Sequence, residues 1–233
     1  MKKVINASLG LLMMLLMLSN TATAQDSPKE SENYKHNKEV YLKALKFSDV
    51  SIAREALYHL IALDPNDISL LDSLAFLYFD YRNFASTALV CKDILEKSPK
   101  HPPALEMSAI SFENLGLNEQ ALANYESLYL IQNNMITLYK IAYLQYQLKR
   151  YAEFENNAET IIANEESMTM KLLFSGENNE QQQIPMRAAI YNFKGIVAQE
   201  GGDKTKAAEY YDEALKIAPE FYLAKVSKQS LSN

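Results

Sequence analysis

Apolar residues recur at every third or fourth position through most of the chain, which is the spacing of one face of an α-helix. Near the C-terminus, residues 188–200 follow this pattern and predict an amphipathic helix. The sequence Gly-Gly-Asp at 201–203 interrupts the pattern, and residues 204–217 predict a second helix. This part of the chain therefore predicts two helices joined by a tight turn.

Small and aromatic residues alternate on the faces that these two helices would turn towards each other. Gly195 on the first helix and Ala207 on the second are small enough for the helices to cross closely. Tyr211 would fill the space beside them, and Ala214 would let the next unit approach. Pro219 ends the unit, because proline cannot continue a helix.

The same helix–turn–helix pattern recurs with a period of 34 residues in segments 47–65, 81–99 and 115–133. Four columns of similar residues stay in phase through these three copies. The columns are Ala53, Thr87 and Ala121; Leu57, Cys91 and Tyr125; Leu60, Ile94 and Leu128; and Pro65, Pro99 and Asn133. Internal repetition at this period is the signature of a repeat architecture.

A fourth copy at 149–162 and the C-terminal copy complete the series, but they are separated by an insertion. Ala207 follows Phe154 by 53 residues instead of 34, which leaves about 19 additional residues. Residues 164–187 lack the helical pattern and contain a turn-like run, Ser-Gly-Glu-Asn-Asn-Glu, at 175–180. The insertion could form a small hairpin or a mobile loop, and it could be functional or a tolerated surface loop.

A 34-residue unit with Gly195, Ala207, Tyr211, Ala214 and Pro219 at these spacings resembles the tetratricopeptide repeat (TPR). The resemblance covers residues 34 to 221. It implies an all-α fold, a right-handed α-solenoid of about five TPR-like repeats within residues 34–233. A final helix at about 220–230 would cap the last repeat.

Two positions depart from the family pattern. Tyr41 and Phe154 stand where the family has a small residue. Tyr41 is in the first copy, which no earlier unit packs against, and Phe154 comes just before the insertion. Irregular stacking is therefore expected after the fourth copy.

The N-terminus has the features of a secretory signal peptide. Lys2 and Lys3 precede an apolar run at 9–18, and Ala22-Thr23-Ala24 places small residues where signal peptidase cleaves. We predict that residues 1–24 are removed and that the polar residues 25–33 form a flexible lead-in. The alternative, an uncleaved anchor, is disfavoured because the run is shorter than the roughly 20 residues of a membrane span. The protein would then be exported to the periplasm or the medium, without a membrane span.

Composition and spacing argue against several functions. The net charge of −6 disfavours nucleic-acid binding, which needs a basic face. Cys91 is the only cysteine, so no intramolecular disulfide can form, and it lies on a predicted core stripe. His36, His59 and His101 lack metal-ligand spacing, and no catalytic or phosphate-binding motif occurs. We therefore predict no enzymatic activity, no cofactor and no bound metal.

The TPR resemblance also implies where a partner would bind, since the first helices of such repeats line a concave groove that accepts peptides or protein segments. In this frame the groove residues are Phe76, Phe79, Ile110, Tyr139, Tyr143, Tyr146 and Asn192. Tyrosine suits interfaces because its rigid ring offers both area and a hydroxyl group. The alternative is that several of these side chains only pack against neighbouring helices.

These observations favour an exported adaptor that binds another protein through an aromatic groove. A structural or assembly subunit of an envelope or secretion complex is the alternative. The two differ in whether the groove is open or permanently occupied by a co-purifying partner.

Overall fold

The computed structural model describes Lys29 and residues 31–232. The predicted signal peptide and most of the predicted lead-in lie outside these residues. The described chain is almost entirely helical, which confirms the predicted all-α fold of helix–turn–helix units. Within it, no helix combines the length and apolar character that crossing a membrane requires.

The chain divides into two compact units at residue 67. The first contains helices α1 (Glu32–Lys46) and α2 (Val50–Leu63), which pack against each other. Its core includes Tyr34, Ala53, Leu57 and Leu60.

The second unit contains the remaining elements and packs each helix against its neighbours in sequence. Its helices are α3 (Ile68–Asp80), α4 (Phe84–Lys97), α5 (Pro102–Asn114), α6 (Asn118–Gln132), α7 (Met135–Gln147), α8 (Tyr151–Ala163), α9 (Glu166–Thr169), α10 (Met186–Glu200), α11 (Lys204–Ile217) and α12 (Tyr222–Ser230). Two strands, β1 (Lys171–Ser175) and β2 (Gln181–Pro185), lie between α9 and α10.

The turn inside each helix pair has the same construction throughout. One residue with a positive φ angle of 56° to 85° precedes the second helix by two positions; these residues are Ser48, Arg82, Gly116, Lys149 and Gly202. In three of the turns the next residue, Asp49, Asn83 or Asp203, caps the second helix by accepting a backbone N–H bond. The 34-residue period therefore belongs to the turn as well as to the packing positions.

The small residues of the repeat lie at the helix contacts. Ala53, Thr87, Ala121, Ala207 and Ala214 are all fully buried. Gly195 meets Tyr211 so closely that a β-carbon at position 195 would lie 2.3 Å from the tyrosine Cε1. Pro219 is exposed, two residues beyond the end of α11.

The insertion forms a short helix and an antiparallel hairpin, so of the two alternatives the hairpin is present. Leu172 pairs with Ile184, and the ring centroids of Phe174 and Phe221 are 5.1 Å apart. The Gln182 side chain donates to the Glu220 carbonyl at 2.7 Å and accepts from the backbone N–H of Tyr222 at 3.0 Å. The hairpin is thereby attached to the start of α12.

A buried lysine joins the helices on either side of the insertion. Lys194 on α10 is 2% exposed and lies 2.9 Å from a Glu155 oxygen on α8, with Glu159 as a second partner. Its ammonium is also 4.8 Å from the ring centroid of Tyr210 on α11. Burial lowers the pKa of Lys194, but the hydrogen bonds to the two carboxylates outweigh it and leave the pKa above its usual value. The lysine therefore stays charged and holds α10 against α8.

Candidate functional site

Five aromatic rings form a continuous stack between α7, α8 and α10, which we call the aromatic cluster: Tyr139, Tyr143, Tyr146, Phe154 and Phe193. Neighbouring ring centroids are 6.3 Å apart for Tyr139–Tyr143, 5.5 Å for Tyr143–Phe193, 5.0 Å for Phe193–Tyr146 and 6.1 Å for Tyr146–Phe154. These separations are within the range of favourable ring contacts.

Helical spacing and the insertion together create the aromatic cluster. Tyr139, Tyr143 and Tyr146 lie four and three residues apart, so α7 presents them on one face. Phe193 reaches them from α10, which packs on α7 and α8 although 22 residues separate it from α8 in sequence. A contact between Phe193 and the α7 tyrosines thus depends on the path of the insertion.

The rings of the aromatic cluster differ in accessibility. Phe154 is fully buried and Tyr139 is only 9% exposed. Burial raises the pKa of Tyr139, with a smaller contribution from Tyr143. Tyr143 and Tyr146 are half-buried, so part of each ring can contact a partner. Of the three predicted tyrosines, Tyr139 therefore belongs mainly to the core.

The accessible side of the aromatic cluster opens into a cavity of about 600 Å³, which we call the aromatic cavity. Its lining consists of four aromatic rings, two amides, one lysine and one carboxylate. These residues are Asn118, Tyr143, Tyr146, Gln147, Lys149, Tyr151, Phe193 and Glu200.

Hydrogen bonds fix the polar side chains of the aromatic cavity. The Gln147 amide donates to the Tyr143 hydroxyl at 2.5 Å and accepts from the Asn118 amide at 3.1 Å. On the other side, the Tyr151 hydroxyl donates to the Glu200 carboxylate. This hydrogen bond, with some burial, raises the pKa of Tyr151 to about 12, so the phenol keeps its proton at neutral pH. Burial and then the Glu200 charge also raise the pKa of Tyr146.

The other predicted groove residues lie apart from the aromatic cavity lining. On α3, Phe76 is 63% exposed and Phe79 is half-buried, 6.1 Å from the Phe84 ring centroid. Ile110 on α5 packs against a core cluster. Asn192 is 2% exposed, and its Oδ1 accepts no hydrogen bond from the described residues.

Sequence reasoning missed three residues of the aromatic cavity: Tyr151, Phe193 and Glu200. Tyr151 was assigned to the fourth repeat's pattern, and α10 lies beyond the insertion. A second cavity of about 620 Å³ was also missed; it lies among α4, α5 and α6 and is mostly apolar. Leu89 on its rim is 68% exposed, and Leu115 and Leu117 are exposed beside it.

The titratable residues outside the aromatic cavity have structural surroundings. Cys91 is fully buried, and burial, reinforced by the charge of Asp72, raises the pKa of its thiol to about 12, which suppresses nucleophilicity. His101 caps α5 through Nδ1, and its Nε2 is 3.3 Å from an Asp72 oxygen. Among Lys29 and residues 31–232, no three His, Cys, Asp or Glu side chains are grouped to hold a metal.

No protein-family model and no curated protein sequence matches the chain. Several solved structures are similar to it. YrrB, described as a TPR protein with an unusual peptide-binding site, has a TM-score of 0.63 at 12% identity, covering 85% of this chain and 98% of YrrB. A tetratricopeptide repeat protein from Parabacteroides merdae ATCC 43184 has a TM-score of 0.60 at 17% identity, covering 86% and 73%.

MamA is a further structural neighbour, with a TM-score of 0.59 at 14% identity, covering 80% of this chain and 92% of MamA. At these identities the similarity establishes the fold. The chain therefore has the tetratricopeptide-repeat fold, as its sequence period predicts.

Proposed function

We propose that this protein of tetratricopeptide-repeat fold is an interaction adaptor that binds a peptide or protein segment at the aromatic cavity. The observation that carries the proposal is the pair of half-buried tyrosines, Tyr143 and Tyr146, stacked around Phe193 beside a cavity of about 600 Å³. Aromatic rings bury large areas and dominate binding energies at interfaces.

The aromatic cavity is organised before a partner arrives. Gln147 orients the Tyr143 hydroxyl, and Phe193 is held between two tyrosine rings. The buried Lys194, next to Phe193 on α10, keeps that helix against α8. A site that is already ordered loses little conformational entropy on binding, so more of the contact energy contributes to affinity.

The lining also suits an extended peptide. Asn118 and Gln147 carry amide groups that can both donate to and accept from a peptide backbone. The rings would contact its side chains. The described peptide-binding site of YrrB, a protein of the same fold, supports a role of this kind.

Replacing Tyr143 and Tyr146 together with alanine is expected to weaken peptide binding by about 2 kcal/mol, the size typical of interface hot spots. The probes are peptides selected from a random phage-displayed library against the unmodified protein, and calorimetry measures their affinity. Tyr81→Ala, which removes an exposed tyrosine outside the aromatic cavity, is the matched control.

Circular dichroism separates loss of binding from loss of folding in this experiment. A folded double variant that binds the peptides as tightly as the unmodified protein would contradict the proposal. Unfolding of the double variant would show that the two tyrosines belong to the core. If no peptide is retained, the adaptor assignment is wrong.

A structural or assembly subunit is the second candidate, and the apolar cavity among α4, α5 and α6 favours it. Exposed leucines around an opening of about 620 Å³ are typical of a surface covered by another protein. A partner that co-purifies constitutively and is lost with Leu89→Asp, but not with the tyrosine substitutions, would support this function over the adaptor.

We further propose that the protein is exported to the periplasm or the medium after cleavage behind Ala24. The lysine pair, the apolar run at 9–18 and Ala22-Thr23-Ala24 support this. Mass spectrometry of exported protein is expected to find Gln25, free or cyclised, at the N-terminus. Exported material that still begins at Met1 would contradict the cleavage.

A further inference from the structure

We infer that the aromatic cavity receives an arginine side chain of the bound segment, stacked on the tyrosine rings and paired with Glu200. This inference rests on the proposed adaptor function and adds the chemistry of the partner. It depends on three properties of the cavity: its rings, its carboxylate and its amides.

The rings offer a surface for a cation. Tyr143, Tyr146, Tyr151 and Phe193 all line the aromatic cavity. The face of an aromatic ring carries negative charge density and attracts ammonium and guanidinium groups. The same protein already uses this chemistry in its core, where Lys194 lies 4.8 Å from the Tyr210 centroid and pairs with Glu155 and Glu159.

Glu200 supplies a negative charge that no basic side chain neutralises. Within the described part of the chain, its only hydrogen bond comes from the Tyr151 hydroxyl, and it forms no ion pair. A carboxylate has about four acceptor positions, so further donors can bind. Its charge reaches the ring hydroxyls, because after burial it is the next cause of the raised pKa of Tyr146.

The basic residue of the lining does not compete for this position. Lys149 lies in the left-handed turn between α7 and α8, where it is exposed and forms no ion pair with Glu200. A negatively charged ligand would meet the Glu200 carboxylate at the same opening. The cavity therefore favours a cationic group over an anionic one.

Arginine fits this combination better than lysine. Its planar guanidinium can stack on a tyrosine and direct two parallel N–H groups at one carboxylate. The cavity of about 600 Å³ is large enough for that side chain and the adjoining backbone, which Asn118 and Gln147 can bind.

The test measures whether Glu200 and the peptide charge act together. Phage-selected peptides are expected to contain arginine, and each is resynthesised with citrulline, its neutral analogue of the same shape. Binding of both peptides is measured by calorimetry to the unmodified protein and to Glu200→Gln, which keeps an acceptor for Tyr151. Glu106→Gln, a change at an exposed carboxylate on α5, is the matched control.

Citrulline is expected to weaken binding to the unmodified protein and to Glu106→Gln by about tenfold, and to Glu200→Gln by less than threefold, because the charge pair is already absent. The inference is overturned if the selected peptides lack arginine, if citrulline leaves the affinity unchanged within twofold, or if its effect is the same in both glutamine variants. When binding in those cases still requires Tyr143 and Tyr146, the adaptor function stands and only the arginine assignment fails. Binding that is insensitive to those tyrosines contradicts both.

Discussion

Replacing Tyr211 with alanine is expected to lower the free energy of unfolding by about 3–5 kcal/mol, the cost typical of removing a large buried ring. Tyr211 is fully buried, and its ring lies against Gly195. Its hydroxyl donates to Gln199 at 2.8 Å, so the substitution also leaves that amide without this partner. The surrounding helices cannot close the space without moving α10 towards α11.

Tyr211→Phe is the matched control, because it keeps the ring and removes only the hydroxyl. It is expected to cost about 0.5–1.5 kcal/mol, the usual contribution of one hydrogen bond. Chemical denaturation monitored by circular dichroism measures both variants. An alanine variant within about 1 kcal/mol of the unmodified protein would show that α10 and α11 do not depend on this contact.

Phe154→Ala is expected to cost about 3–5 kcal/mol, although it restores the small residue found at the matching position of other repeats. Alanine at positions 53, 121 and 207 is fully buried between closely packed helices. Phe154 is equally buried, but it contacts Tyr146 and belongs to a core cluster with α10 residues beyond the insertion. Alanine there would leave a cavity next to the aromatic cluster.

Thr87→Ala is the matched control for this prediction, since it changes the same column of the repeat with a small loss of volume. Thr87 donates its hydroxyl to the Asn83 carbonyl at 3.0 Å, and we expect a cost of about 1 kcal/mol from that bond. Denaturation measures stability, and calorimetry with the selected peptides measures binding. The Phe154 variant should also bind the peptides less tightly because Tyr146 loses its support. A Phe154→Ala protein as stable as the Thr87→Ala protein would contradict the packing described for the fourth repeat.

Much of the fold could be predicted because its determinants lie within one helix pair. Gly195 and Ala207 are 12 residues apart, and the turn that joins their helices repeats with the same period. The left-handed residue of that turn is glycine at positions 116 and 202 only. Ser48, Arg82 and Lys149 give no composition signal for the same conformation, so the turn was recognised from its period and not from its residue types.

The candidate site could be predicted only in part. Tyr143 and Tyr146 share a helix face, which spacing alone indicates, and both line the aromatic cavity. Tyr139 lies on the same face and is nearly buried, because Tyr143 stacks over it and neighbouring helices cover it. Asn192, assigned to the groove by its position in the repeat, is almost completely enclosed. Spacing predicts the face of a helix, whereas exposure depends on what packs against that face.

The sequence by itself determined the period, the helix pairs, the positions of the small residues and the presence of an interruption after the fourth repeat. Each of these follows from interactions between residues that are close along the chain. Only the tertiary structure decided that the interruption is a hairpin attached to α12, and that it returns α10 to α7 and α8. That return brings Phe193 and Glu200 to Tyr143, Tyr146 and Tyr151, across up to 57 residues of sequence. The contacts across the insertion depend on how the hairpin and Lys194 pack in three dimensions, and no local pattern encodes them.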